Sequence, residues 1–183
     1  MKKRLSLTVK KVLNTVSLLT QENIKANREI IHEIVYLSLP SHARKKYYTA
    51  GLEGPYSEDV DLLIQGLLYK KSLRYENGFK AETNGTPDRR ERVTVEFLKK
   101  HHLLQHDKLA EFSRVFMFFD ELKDKKEEEL VNYIKKRSKF LGWTDLSRKT
   151  KNVILRYLKY ARELEKELKG ASSGRMGNRD SSG

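Results

Sequence analysis

A mainly α chain with one β-hairpin is the fold class this sequence predicts, and three observations carry it. Apolar residues recur at helical spacing in segment after segment. The only strand signal is LRYENGFKA, two short runs around Asn77-Gly78. Pro40, Gly51, Gly54-Pro55, Pro87 and Gly142 fall between the helical stripes rather than inside them.

The stretch from Gly54 to Glu82 organises the rest. Ser57 is placed to cap a helix, and Glu58 and Asp59 suit its positive end. Val60, Leu63, Ile64, Leu67 and Leu68 form one apolar stripe, and Lys70 and Lys71 close the last turn. A three-residue loop, Glu76-Asn77-Gly78, sets Tyr75 against Phe79 and Leu73 against Ala81, with Gly78 in the left-handed position. Arg74 and Lys80 then share the opposite, basic face. A two-residue loop would mix both faces, so the longer loop is preferred. A helix running into a hairpin with one basic face is how a winged helix-turn-helix ends.

Elsewhere the stripes follow in order. Val9, Val12, Leu13, Val16 and Leu19 mark a first helix; Ile24, Ile31, Ile34, Val35 and Leu39 mark a second, ending near Pro40. HARKKYYTA is a short basic helix closed by Gly51, and the first strand of a winged helix is missing or reduced to a few residues near Leu52. Thr86 is expected to cap the next helix, with Pro87 at its first position. Val93, Phe97 and Leu98 face its core side, with Leu104 beyond. Leu109, Phe112, Phe116, Phe119 and Leu122 stripe another helix, and Leu130, Ile134 and Leu141 a weaker one stopped by Gly142. Trp143 is expected as a core anchor. Ile154, Tyr157, Leu158, Ala161, Leu164 and Leu168 line a long last helix. The organisation is therefore an N-terminal helix and winged-helix core over 1–85, a C-terminal helical extension over 86–169, and a disordered tail over 170–183.

Charge narrows the partner class. Of 183 residues, 34% are charged and the net charge is +13, which points to an acidic partner such as nucleic acid, or to an anionic membrane surface. The excess is spread along the chain, so a folded basic surface is expected rather than a basic arm. Without cysteine there is no disulfide or thiolate metal site, and a cytoplasmic setting is expected. No run approaches about 18 apolar residues, so no membrane span is expected.

The run YYTAGLEGPYSEDVDLLIQGLLYKKSLRYENG resembles the helix-turn-helix core of Panacea-type domains and related prokaryotic winged-helix domains. The shared features are an aromatic segment, a Gly-Pro before a helix, and a leucine-rich stretch leading to a wing. The resemblance covers about residues 24–85. It implies either DNA binding or partner neutralisation of the kind antitoxins perform.

The phosphate contacts expected on this reading are Arg44, Lys45, Lys46, Lys70, Lys71, Arg74, Lys80, Arg89 and Arg90. The first three, Arg74 and Lys80 are expected to lie near one another. Other basic clusters, among them Lys135-Lys136-Arg137 and Arg148-Lys149-Lys151, read as solvated surface when taken singly. Glu58 and Asp61 at the start of the central helix oppose phosphate, which gives weight to a protein-interaction module as the rival reading. Ile154 to Leu168 also has the pattern of half a helix pair, a route to a homodimer. Catalytic patterns are thin: Glu29 and His32 have the Glu-x-x-His spacing of carboxylate metal bundles, but only one copy is present. His102 and His106, four apart, lack a third ligand beyond Asp107. No enzyme activity, metal or cofactor is expected.

Overall fold

The computed structural model describes residues 2–82, 85–122 and 124–173. Helix α1 is Lys2–Gln21, α2 Arg28–Ser38 and α3 Ser41–Tyr47. Strands β1, Thr49–Ala50, and β2, Pro55–Tyr56, form a small antiparallel ribbon before α4, Glu58–Tyr69. Strands β3, Leu73–Tyr75, and β4, Phe79–Ala81, form the hairpin. Then come α5, Arg89–Lys100; α6, His106–Leu122; α7, Glu127–Phe140; α8, Thr144–Arg148; and α9, Lys151–Ser173.

The helix starts follow from their caps. Asn27 accepts from the backbone N–H of Ile30 at 2.8 Å and starts α2. Ser57 accepts from that of Val60 at 3.4 Å and starts α4, as its position predicts. α5 begins later than Thr86-Pro87 suggests. Asp88 is its cap, and Glu91 returns a bond to the Asp88 N–H, a reciprocal pair that the Asp88-Glu91 spacing makes available.

The hairpin has the expected register, with Leu73 opposite Ala81, Arg74 opposite Lys80 and Tyr75 opposite Phe79. Its loop differs in detail. Asn77 takes the left-handed conformation at φ 55°, and Gly78 takes φ 136°, a region glycine alone enters easily. A short strand does lie near Leu52, β1, but it pairs with β2; the hairpin's further neighbour is Ala26, between α1 and α2, which bridges antiparallel to Phe79.

The buried apolar residues form one continuous cluster from Val12 to Leu168. α6 lies at its centre, packed by α2, α7, α9 and β2, so Leu109 to Asp120 are buried on every side of the helix rather than along a stripe. The six apolar residues of α9 that suggested a homodimer seam are all buried inside the chain itself, where α9 packs on α5, α6 and α7. α9 also runs through Gly170 to Ser173, with Ala171 buried, so the tail does not begin at Gly170; residues 174–183 lie outside the described residues.

Cationic and aromatic side chains fasten residues before position 85 to residues after it. Arg44 on α3 meets Asp120 on α6, with Nη2 to Oδ1 at 2.8 Å and Nε to Oδ2 at 3.2 Å. Its guanidinium carbon lies 4.8 Å from the Phe116 ring centre. Arg114 donates to Asp145 and to the Glu53 carbonyl, and the Trp143 indole donates to the Gly51 carbonyl at 2.9 Å. Arg90 donates to the carbonyls of Ser38, Leu39 and Leu168.

Two stability measurements follow. In urea denaturation, Arg44→Ala loses about 3–5 kcal/mol, because the buried Asp120 loses the guanidinium charge set against it. Arg44→Met with Asp120→Leu together loses much less. A loss below ~1 kcal/mol for the single variant shows that the pair does not fasten α3 to α6. For the hairpin, Gly78→Val costs about 2 kcal/mol or more, since a branched residue enters a positive-φ position and its Cβ meets Lys25 and the Ala26 carbonyl at 3.1 and 3.2 Å. An unchanged melting temperature contradicts that loop geometry.

Candidate nucleic-acid interface

The nine cations expected at phosphates do not share one environment. Arg44 is the clearest correction: it is 3% exposed and bound to Asp120, so it faces the core rather than a ligand. Arg90 is half-buried and occupied by backbone carbonyls. Lys45, Lys46, Lys70, Lys71 and Arg89 are exposed and form no ion pair among the described residues.

The hairpin face is not basic. Arg74 pairs with Glu76 and Glu82, at 3.3 and 2.7 Å, and Lys80 pairs with Glu76 at 3.4 Å. Two cations and two carboxylates cancel there. These pairs are exposed and individually weak, but the local field on an approaching polyanion is near neutral.

Nor do Lys45 and Lys46 sit beside Arg74 and Lys80. Lys46, His42 and Arg90 border a cavity of about 470 Å³ that also touches Ser57, Asp59 and Val60, at the N-terminal end of α4. Arg74 and Lys80 follow its C-terminal end. A 12-residue helix is roughly 18 Å long, so the two groups are held apart.

On α4, Glu58, Gln65 and Tyr69 are exposed, and Asp61 is the half-buried exception. Asp61 is not free to repel phosphate: Arg28 pairs with it at 2.5 Å, His32 lies 3.3 Å away, and the Tyr56 hydroxyl donates to it. The side chains left outward include Leu62, 57% exposed, and Tyr69, 90% exposed.

A second recess, of about 320 Å³, is lined by Arg28, Glu29, His32, Glu33 and the turn from Gly51 to Tyr56. The His32 ring stacks on Tyr56, centroids 5.3 Å apart. Burial pushes the Glu33 carboxyl up to about 8, against the pull of the Ser113 hydroxyl and the Arg114 charge, so it is protonated at neutral pH. Burial also lowers His32, keeping it neutral, although the Asp61 contact opposes this. The unpaired atoms, Glu33 Oε2 and His32 Nδ1, are sealed from solvent, so the recess offers a reactant little but carbon. Among the described residues no His, Asp and Glu side chains gather as a metal site. No described helix is long and apolar enough to cross a membrane.

The sequence named Lys135-Lys136-Arg137 only as a cluster. They lie on α7, whose exposed face also carries Tyr133 and Phe140. The helical spacing of those aromatics is readable in sequence, but their exposure is not. Comparison of the chain with protein-family models, curated proteins and solved structures finds no match.

Glu33 makes stability depend on pH. The folded chain keeps a proton that the unfolded chain releases above about pH 4.5, so this group's contribution declines as pH rises to about 8 and is level beyond it. Glu33→Gln keeps the shape and removes the titration. Its stability advantage over the parent should grow through that window, by up to about 1.4 kcal/mol per pH unit. Thermal unfolding at pH 5, 7 and 9 measures it. An advantage that does not change with pH means Glu33 is not holding the proton.

Proposed function

We propose that the protein is a winged-helix nucleic-acid-binding protein, with DNA as the favoured partner and transcriptional regulation as the favoured role. The observation that carries this reading is the net charge of +13, with exposed cations at Lys45, Lys46 and Arg89, around the corner of α3 and α5, that form no ion pair among the described residues. Element order supports the fold part: helix α1, a one-residue bridge at Ala26, α2, then α4 and the β3–β4 hairpin, with α3 and the β1–β2 ribbon inserted. DNA is preferred to RNA by analogy of fold and by the resemblance of residues 24–85 to Panacea-type domains.

The wing has a reduced part in this reading, because Glu76 and Glu82 offset Arg74 and Lys80. Contacts from α3 and the start of α5 dominate. The second reading, a protein-interaction module of antitoxin or adaptor type, is favoured by one observation: Leu62 and Tyr69 stand exposed on the outward side of α4.

Titration of the chain into labelled random duplex DNA at several salt concentrations tests the choice. Affinity should fall by about 0.9 log unit per phosphate contact per log of salt. Lys45→Ala with Lys46→Ala should lower that slope by about 1.8, whereas Arg74→Ala with Lys80→Ala should change it little and cost under ~0.5 kcal/mol of stability. Absence of binding at low salt, or a flat salt dependence, transfers the reading to the protein-interaction module.

A further inference from the structure

We propose that the outward face of α7 is a stacking site for single-stranded nucleic acid. This rests on the nucleic-acid reading and adds a location and a strand class to it. Tyr133, Lys136, Arg137 and Phe140 recur at i, i+3, i+4 and i+7, so they share one helix face. They line a shallow recess of about 280 Å³. Phe140 is 77% exposed and Tyr133 38%. The Arg137 guanidinium lies 5.0 Å from the Phe140 ring centre, and Tyr133 is held edge-on by Phe118 at 5.8 Å.

The charge around these rings is of one sign. From Leu130 to Thr144 there is no acidic residue, while Lys135 and Lys139 add to Lys136 and Arg137. None of the four cations forms an ion pair among the described residues. The bordering acids are occupied: Glu129 by Lys125 and Asp145 by Arg114.

A singly exposed aromatic ring is ordinary on a protein surface. Two rings set among unpaired cations match the two chemical parts of a single strand, whose bases offer free π faces and whose phosphates are anionic. In a duplex those faces are stacked inside, so the rings gain nothing from it. An anionic lipid surface fits less well, because its binding grows with inserted apolar area and this face offers only the Phe140 ring and the part-exposed Tyr133 ring.

The test uses the full chain with labelled oligothymidine and oligouridine of about 12 nucleotides, random duplex DNA, and phosphatidylserine-rich vesicles. Phe140→Ala should weaken single-strand binding roughly 5- to 100-fold and leave duplex binding unchanged. Lys136→Ala with Arg137→Ala should lower the single-strand salt slope by about 1.4. A Phe140→Trp variant should bind as the parent does, with its added fluorescence quenched by the strand. All substituted side chains are exposed, and circular dichroism checks that each variant is folded. If the oligonucleotides bind but all variants match the parent, the α7 proposal falls while the nucleic-acid reading stands. If Phe140→Ala affects vesicle binding alone, the face is a lipid surface and the proposal falls. If neither single strand nor duplex binds, both readings fall together.

Discussion

The contact between Arg44 and Asp120 is the constraint on which most of the architecture depends. Both side chains are 3% exposed, and each has lost its water. The loss is offset by a two-point bond, by the Ser41 hydroxyl on the carboxylate, and by the Leu39 carbonyl on the guanidinium. Those partners lie on both sides of the chain's midpoint, so α3 is fixed against α6. Arg90 adds a second tie at the same corner, through the carbonyls of Ser38 and Leu39. α2 and α3 therefore meet the C-terminal helices as one packed body, and the orientation of Lys45 and Lys46 follows from it.

Net charge overstates what this surface offers a polyanion. Arg44, Arg90 and Arg114 are structural fasteners, and Arg74 and Lys80 are offset by neighbouring carboxylates. On the proposed reading, attraction belongs to cations that form no ion pair among the described residues. They occur at the α3–α5 corner, where Asp59 and Asp88 line the same cavity, at Lys70 and Lys71, and on α7. Long-range attraction depends on the sum of charges, but bound phosphates select local excess. The hairpin, expected as the wing, has little local excess.

Much of the fold was legible because periodicity and caps are local. The α9 stripe, the Ser57 cap and the register of β3 with β4 each depend on residues a few positions apart. The start of α5 was misread because Thr86-Pro87 and Asp88-Glu91 are both adequate start signals, and only the second satisfies two N–H groups. The fate of Arg44 was not legible: Asp120 is 76 residues away, and nothing in HARKKYY separates a buried arginine from its exposed lysine neighbours. The α9 stripe was read correctly as apolar, but sequence alone could not say that α5, α6 and α7 cover it. On the hairpin, the face was assigned correctly to Arg74 and Lys80, while the reach of Glu76 and Glu82 onto that face was missed.

The central claim is that cations without acid partners, rather than the hairpin, hold the polyanion. Lysine acetylation footprinting, with mass spectrometry of each site in free and nucleic-acid-bound protein, tests it most directly. Protection is predicted at Lys45, Lys46, Lys136 and Lys139, with Lys80 and Lys151 unchanged because each already faces a glutamate. Protection centred on Lys80, with Lys45, Lys46, Lys136 and Lys139 fully reactive, would contradict it.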